Sequence, residues 1–222
     1  MNIQNVKLVC FSPTGTTRKV IESIARGLKA DNVELIDITR PLTRKEVLQT
    51  LDNELLIMAV PVYMGRVPGV LSDWLHSIKA RNTPAVCVVV YGNRAYEDAL
   101  LELKDILTER GCKPVAGAAF IGEHSFSSTE LPSSVGRPDS NDLLYAEKFW
   151  QEISNLMNMV SSASQRGELQ IPGSKPYRGV TDLWHVDFIA VDKHCIQCGI
   201  CAEGCPVGAI NKADSSIIAI DK

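Results

Sequence analysis

Four cysteines are crowded into a short segment late in the chain. Cys195, Cys198, Cys201 and Cys205 follow the spacing CxxCxxCxxxC, and Pro206 comes directly after the last of them. Thiolates spaced this closely can wrap a cubane 4Fe-4S cluster, whereas a structural zinc site normally pairs two CxxC motifs across a longer gap. The segment therefore predicts an iron-sulfur site with these four cysteines as metal ligands.

The spacing alone leaves the ligand set incomplete. In bacterial ferredoxins with two clusters, which this run resembles, the fourth cysteine of each run binds the other cluster. The sequence IAVDK at 189–193, just before the cysteines, is echoed by IAIDK at 218–222. We therefore expect that this chain is a truncated or cleaved form of a longer protein, and that the longer protein holds two 4Fe-4S clusters. We expect the chain alone to hold these clusters incompletely or not at all. A single cluster on the four local cysteines, or a degenerate site, is the alternative.

A second group of residues that could do chemistry lies early in the chain. Residues 11–19 read FSPTGTTRK between a predicted strand and a predicted helix, where free backbone N–H groups and the positive helix end make an anion site. The spacing fits neither the nucleotide triphosphate loop nor the dinucleotide fingerprint, so a single terminal phosphate fits best. An ordinary helix cap is the alternative. The predicted phosphate ligands are Ser12, Thr14, Gly15, Thr16 and Thr17.

The elements that must position this loop alternate along the chain. Apolar runs predict strands at 6–11, 33–38, 55–60, 85–91 and 115–121, and helical periodicity predicts helices at 19–28, 43–50, 68–78, 96–110 and 142–160. Buried strands that alternate with amphipathic helices are typical of a parallel sheet covered on both faces. The sequence therefore predicts an α/β doubly wound fold with a five-stranded parallel sheet.

The third and fourth predicted strands end in loops that each contain an aromatic residue, a glycine and a cation. With the (S/T)xTGxT pattern at 12–17, these features make residues 1–160 resemble the flavodoxin family. That resemblance implies the strand order 2-1-3-4-5 and bound FMN, whose phosphate lies in the first loop. It also implies that the isoalloxazine ring is flanked by two sets of residues, Pro61, Val62, Tyr63, Met64, Gly65 and Arg66 after the third strand, and Tyr91, Gly92, Asn93, Arg94 and Tyr96 after the fourth.

Two arginines in these loops suggest a sharper hypothesis. A guanidinium of Arg66 or Arg94 near the pyrimidine edge of the ring would favour the anionic reduced flavin and raise its potential. The alternative is that both arginines are solvated loop residues. Tyr63, Met64 and Tyr96 are candidates to stack on the ring, and the alternative for each is packing on its own loop.

The composition is that of an ordinary soluble protein. The 222 residues are 45% hydrophobic and 22% charged, with a formal net charge of -3, which suggests neither nucleic acid binding nor membrane insertion. The beginning of the chain lacks the pattern of a secretory signal, so we expect a cytoplasmic protein. We predict a flavodoxin-like domain at 1–162, a linker at 163–180 rich in glycine and proline, and a small partial ferredoxin-like α+β unit at 181–222.

The whole chain resembles the flavodoxin-ferredoxin fusions of anaerobic bacteria and archaea. That resemblance implies intracellular electron transfer between FMN and 4Fe-4S clusters, with a redox protein or a small molecule as the electron donor or acceptor. The alternative is an FMN-dependent reductase of NAD(P)H or quinone substrates that uses the clusters as an electron outlet. No nicotinamide-binding domain is visible in the sequence, which favours the electron carrier.

Overall fold

The computed structural model describes residues 5–28, 32–160, 168–180, 191–212 and 218–220. Its strands, numbered in chain order, are β1 (Asn5–Cys10), β2 (Val33–Asp37), β3 (Gln49–Thr50), β4 (Glu54–Pro61), β5 (Lys79–Ala80), β6 (Thr83–Tyr91), β7 (Cys112–Ile121), β8 (Ile210–Lys212) and β9 (Ile218–Ile220). Its helices are α1 (Thr16–Gly27), α2 (Ser72–Ser77), α3 (Ala99–Glu109), α4 (Ser140–Val160) and α5 (Ile200–Gly204). Among the described residues, no helix is long and apolar enough to cross a membrane.

The five long strands form one parallel sheet in the order β2-β1-β4-β6-β7. Counted along the chain without the short strands β3 and β5, this is the predicted order 2-1-3-4-5. The doubly wound fold predicted from the sequence is therefore confirmed. The antiparallel pair of β8 and β9 lies outside this sheet.

Two hydrophobic cores lie on opposite faces of the sheet, and residue parity along β4 assigns its side chains to them. Leu56, Met58 and Val60 pack with residues of α2 and α3, while Leu55, Ile57 and Ala59 pack with residues of α1 and α4. Successive side chains of a strand point to opposite faces, so a strand covered by helices on both sides must be apolar at every position. This is why the run at 55–60 is continuous rather than alternating.

The prediction of a helix at 43–50 is wrong. A single 3-10 turn covers Thr43–Lys45, after which the backbone becomes extended and β3 pairs with β5. Tertiary partners account for the difference: the Trp74 indole N–H donates to the Glu46 carbonyl (2.9 Å), and the Thr50 and Thr83 hydroxyls share a buried hydrogen bond of 2.9 Å. Such contacts outweigh a weak local helix preference.

Residues 168–180, which we call the strap, form no regular element and cross the outside of α3. Asp98, fully buried just before that helix, receives a fork of hydrogen bonds from the Arg178 guanidinium (2.9 and 3.1 Å) and a third bond from the Arg178 backbone N–H (2.6 Å). Two helix turns further on, the Tyr177 hydroxyl donates to Asp105 (2.6 Å). The strap is therefore tied to the sheet domain by ionic contacts. The rest of the predicted linker, and 181–190 of the predicted cysteine unit, lie outside the described residues.

Candidate cofactor site

The loops that follow β1, β4, β6 and β7 meet at the carboxyl edge of the sheet. Backbone hydrogen bonds join each strand end to its neighbour: Phe11 N–H to the Ala59 carbonyl (3.1 Å), Val62 N–H to the Val90 carbonyl (2.9 Å), and Gly122 N–H to the Tyr91 carbonyl (2.9 Å). In open parallel sheets, ligands bind in the crevice at this edge. The structure thus brings together the three loops that the sequence singled out.

The first loop forms a cradle at the beginning of α1. Gly15 has a positive φ of 80°, and a Cβ built on it would meet no atom within 4 Å, so the space above the loop is open. No side chain caps α1 at Gly15 and its first turn has no acidic residue, so the backbone amides of Thr16 and Thr17 are available to an anion. The Thr14 and Thr16 hydroxyl oxygens lie 3.2 Å apart beside them. This arrangement can accept one phosphate group.

Two further contacts shape the cradle from beneath. The Ser12 hydroxyl oxygen accepts a hydrogen bond from the Arg18 backbone N–H (2.9 Å), and the Ser12 N–H donates to the Thr39 hydroxyl oxygen (2.8 Å). The Arg18 side chain points away, to Glu22 at 2.7 Å and Asp37 at 3.4 Å. The donors next to Gly15 are therefore amides and hydroxyls, and the Arg18 guanidinium is not one of them. Thr39 was not predicted, because its partner lies 27 residues away in the sequence.

The loop after β4 makes a tight turn. Tyr63 and Arg66 exchange two backbone hydrogen bonds of 3.0 Å, and both central residues have positive φ, 52° at Met64 and 82° at Gly65. Two left-handed residues in a row are typical of the two-residue turn of a tight hairpin. The Tyr63 side chain remains partly exposed, and burial of its ring raises the pKa of the hydroxyl. We refer to residues 63–66 as the ring turn.

The loop after β6 packs against its neighbours. The Tyr96 ring lies edge-on to Tyr91, with centroids 5.4 Å apart, and also contacts the core beneath the sheet. At Gly92 a side chain would collide with the ring of His124, which lies in the loop after β7. Sequence reasoning missed His124, although the rule that parallel strands end at one edge also applies to the fifth strand.

The hypothesis that Arg66 tunes a flavin ring is not supported by the position of its side chain. The Arg66 guanidinium makes a two-pronged salt bridge to Glu102 on α3 (2.7 and 2.9 Å) and lies over the Tyr177 ring at 5.1 Å from its centroid. It therefore joins the ring turn to α3 and the strap. Arg94, in contrast, is 80% exposed, with Glu97 at 3.8 Å, as expected for a solvated arginine.

The cysteine segment, residues 191–212, contains the short helix α5 between its second and fourth cysteines. Cys195 is half-buried, Cys198 and Cys201 are exposed, and Cys205 is buried. Burial opposes ionisation of Cys205, but backbone amides of Val207, Ala209 and Ile210 hydrogen bond to its sulfur and lower the pKa of the thiol. Thiols are the ligand type that an iron-sulfur cluster requires, but the structure does not bring the four predicted cysteine ligands together. Within the described ranges, no three metal-binding side chains converge on one point.

The parallel sheet in this order, with its loops gathered at one edge, defines the molecule as a flavodoxin-like α/β protein with an additional cysteine segment. Residues 191–211 match the family model of the 4Fe-4S binding domain. Among curated protein sequences, none matches this chain significantly.

Solved flavodoxin structures cover most of the described sheet domain. Oxidised flavodoxin 2 from Bacillus cereus is similar with a TM-score of 0.51 and 16% identity, over 68% of this chain and 98% of that chain. A flavodoxin from the domain Archaea has a TM-score of 0.47 and 13% identity, over 69% and 99% of the two chains. The flavodoxin of Fusobacterium nucleatum bound to flavin mononucleotide has a TM-score of 0.46 and 16% identity, over 68% and 97%. The Bacillus cereus structure supports the flavodoxin-like fold.

Proposed function

We propose that this protein is an intracellular electron-transfer flavoprotein that couples FMN to 4Fe-4S chemistry. The observation that carries the proposal is the cradle at Gly15, an open anion site at the carboxyl edge of a flavodoxin-like sheet. The match of residues 191–211 to the 4Fe-4S binding domain adds the second redox group. The partners of the protein in this proposal are redox proteins or small electron donors and acceptors.

The residues of the three loops have distinct roles in this proposal. The amides and hydroxyls of the first loop bind the FMN phosphate, using Ser12, Thr14, Gly15, Thr16 and Thr17. The ring turn and the loop after β6 flank the isoalloxazine ring and limit its contact with water. Tyr63 is the candidate stacking residue because its ring is exposed, whereas the Tyr96 ring packs against the core. When bound, FMN exchanges one or two electrons and the cluster exchanges one, so together they link two-electron to one-electron reactions.

Removal of single hydroxyls from the cradle tests the phosphate assignment. Thr14→Val or Thr16→Val is expected to weaken FMN binding by about tenfold each, since a hydrogen bond to a charged group is lost. Riboflavin, which lacks the phosphate, should bind both variants as it binds the wild type. Titrations followed by flavin fluorescence measure both affinities. Thr108→Val, which removes a hydroxyl near the far end of α3, is the matched control.

Equal losses for FMN and riboflavin would indicate general damage, and unchanged FMN binding in both variants would refute the cradle. The reductase alternative has its own readout. Rapid bleaching of the flavin after anaerobic mixing with NADH or NADPH would replace the electron carrier with a reductase, whereas we expect no rapid bleaching because the sequence shows no nicotinamide-binding domain.

A further inference from the structure

One arginine joins the cysteine segment to the sheet domain. The Arg44 guanidinium donates through Nη1 to the carbonyls of Ile38 (2.7 Å) and Thr39 (2.9 Å), and through Nη2 to the carbonyl of Pro206 (2.5 Å). Pro206 directly follows the buried Cys205. The planar fork of an arginine can bridge acceptors on two sides in a way that a single ammonium group cannot.

The loop beneath Arg44 is also the support of the phosphate cradle. Thr39, whose carbonyl accepts from Arg44, receives the Ser12 N–H on its hydroxyl oxygen (2.8 Å). The guanidinium lies over the Phe11 ring, 5.7 Å from its centroid. Arg44 and Thr39 therefore link the Pro206 carbonyl, next to Cys205, to the backbone of the phosphate loop at Ser12.

The strap, which precedes the cysteine segment in the chain, contacts the cofactor edge at another point. The Val180 N–H donates to the Met64 carbonyl in the ring turn (3.3 Å). Gly179 has a φ of 87°, and any side chain there would collide with that carbonyl. The chain thus passes over the ring turn before it reaches the cysteines, and both attachments lie on loops that follow strands of the sheet.

We propose that Arg44 is a positioning residue that docks the 4Fe-4S segment against the phosphate loop, so that electrons pass between the cluster and FMN within one chain. The proposal rests on the proposed function and names the contact that fixes the relative placement of its two redox groups. The competing interpretation is that Arg44 only braces its own loop, through the Ile38 and Thr39 carbonyls.

Hydrogen–deuterium exchange of the FMN-loaded protein separates these interpretations without any cluster. In Arg44→Lys the charge remains but the fork is lost, so we expect amides of 200–210 to exchange about tenfold faster as the segment undocks. Arg40→Lys, which alters an exposed arginine of the same loop, is the matched control and should match the wild type. Faster exchange confined to 36–45 would mean that Arg44 only braces its own loop, and would overturn the proposal.

A kinetic measurement on protein that has taken up a 4Fe-4S cluster during reconstitution, verified by its iron and sulfide content, tests the redox consequence. After photoreduction of the flavin, the rate of electron arrival at the cluster is compared between chains of equal FMN and iron content. We expect a slower rate in Arg44→Lys and an unchanged rate in Arg40→Lys. An unchanged rate in an undocked Arg44→Lys protein would overturn the positioning role. No transfer in the wild type would refute the proposed function itself, whereas the exchange result would still decide whether Arg44 docks the segment.

Discussion

The cysteines of this chain occupy two different environments. Cys10, Cys87 and Cys112 are buried in the sheet domain, whereas Cys198 and Cys201 are exposed in the cysteine segment. Burial raises the pKa of Cys10 to about 12, with a further contribution from the charge of Asp37, and burial alone raises the pKa of Cys112 to about 12. The reactive thiolate form is therefore suppressed at the buried cysteines of the sheet domain.

Thiol labelling tests this separation. In native protein freed of iron with a chelator, iodoacetamide at about pH 8 should modify Cys198 and Cys201 and leave Cys10, Cys87 and Cys112 unmodified, because their thiols are both buried and protonated. Peptide mass spectrometry before and after denaturation measures the modified fraction. Modification of Cys10 in the native protein as fast as that of Cys198 would contradict the buried assignment.

At the residue scale, what could be predicted depended on sequence distance. The predicted cradle donors lie within six consecutive positions between a strand and a helix, so a local pattern was enough to predict an anion site. The partner of Arg66 is Glu102, 36 residues away on another element, and no local pattern links them. The arginine was therefore placed in the correct loop while the direction of its side chain was missed.

Elements differ in how strongly their own sequence determines them. β4 is apolar at every position except its ends and is buried at seven of its eight residues, so its identity followed from composition. The stretch at 43–50 had a local helix signature but lies where β5, Trp74 and Thr83 offer it extended-chain partners. A short element whose partners come from later in the chain cannot be assigned from local propensity.

The strap gives the stability of the protein a specific dependence on acid. Hydrogen bonds from Arg178 hold the pKa of Asp98 well below its usual range. A depressed folded-state pKa contributes stability above the unfolded value of about 4, and that contribution is lost as the pH falls further. The urea midpoint should therefore fall between about pH 5 and pH 3, and fall less in Asp98→Asn. Asp73→Asn, at an exposed position on α2, should keep the wild-type slope; the same slope in Asp98→Asn would exclude Asp98 as its source.

On the scale of the whole molecule, contacts among the described residues attach the cysteine segment and the strap that precedes it to one edge of the sheet domain. Arg44 binds the cysteine segment directly through the Pro206 carbonyl, and the strap holds the preceding chain on α3 and the ring turn. A tether raises the effective concentration of the segment at its docking contact, so the two attachments should not act independently. Neither attachment could be predicted from the sequence, because the two contacts join residues that are 162 and 80 positions apart.

A double-mutant cycle measures this dependence. Arg178→Ala removes the fork on Asp98 and loosens the strap, so amide exchange in 200–210 should rise although the substitution lies outside that segment. Once Arg44→Lys has undocked the segment, loosening the strap should add little, and the effects of the two substitutions on exchange should be less than multiplicative. Arg94→Ala, in a solvated arginine, is the control and should leave exchange unchanged in both backgrounds. Fully multiplicative effects, or no response to Arg178→Ala, would show that the strap does not support docking at Arg44.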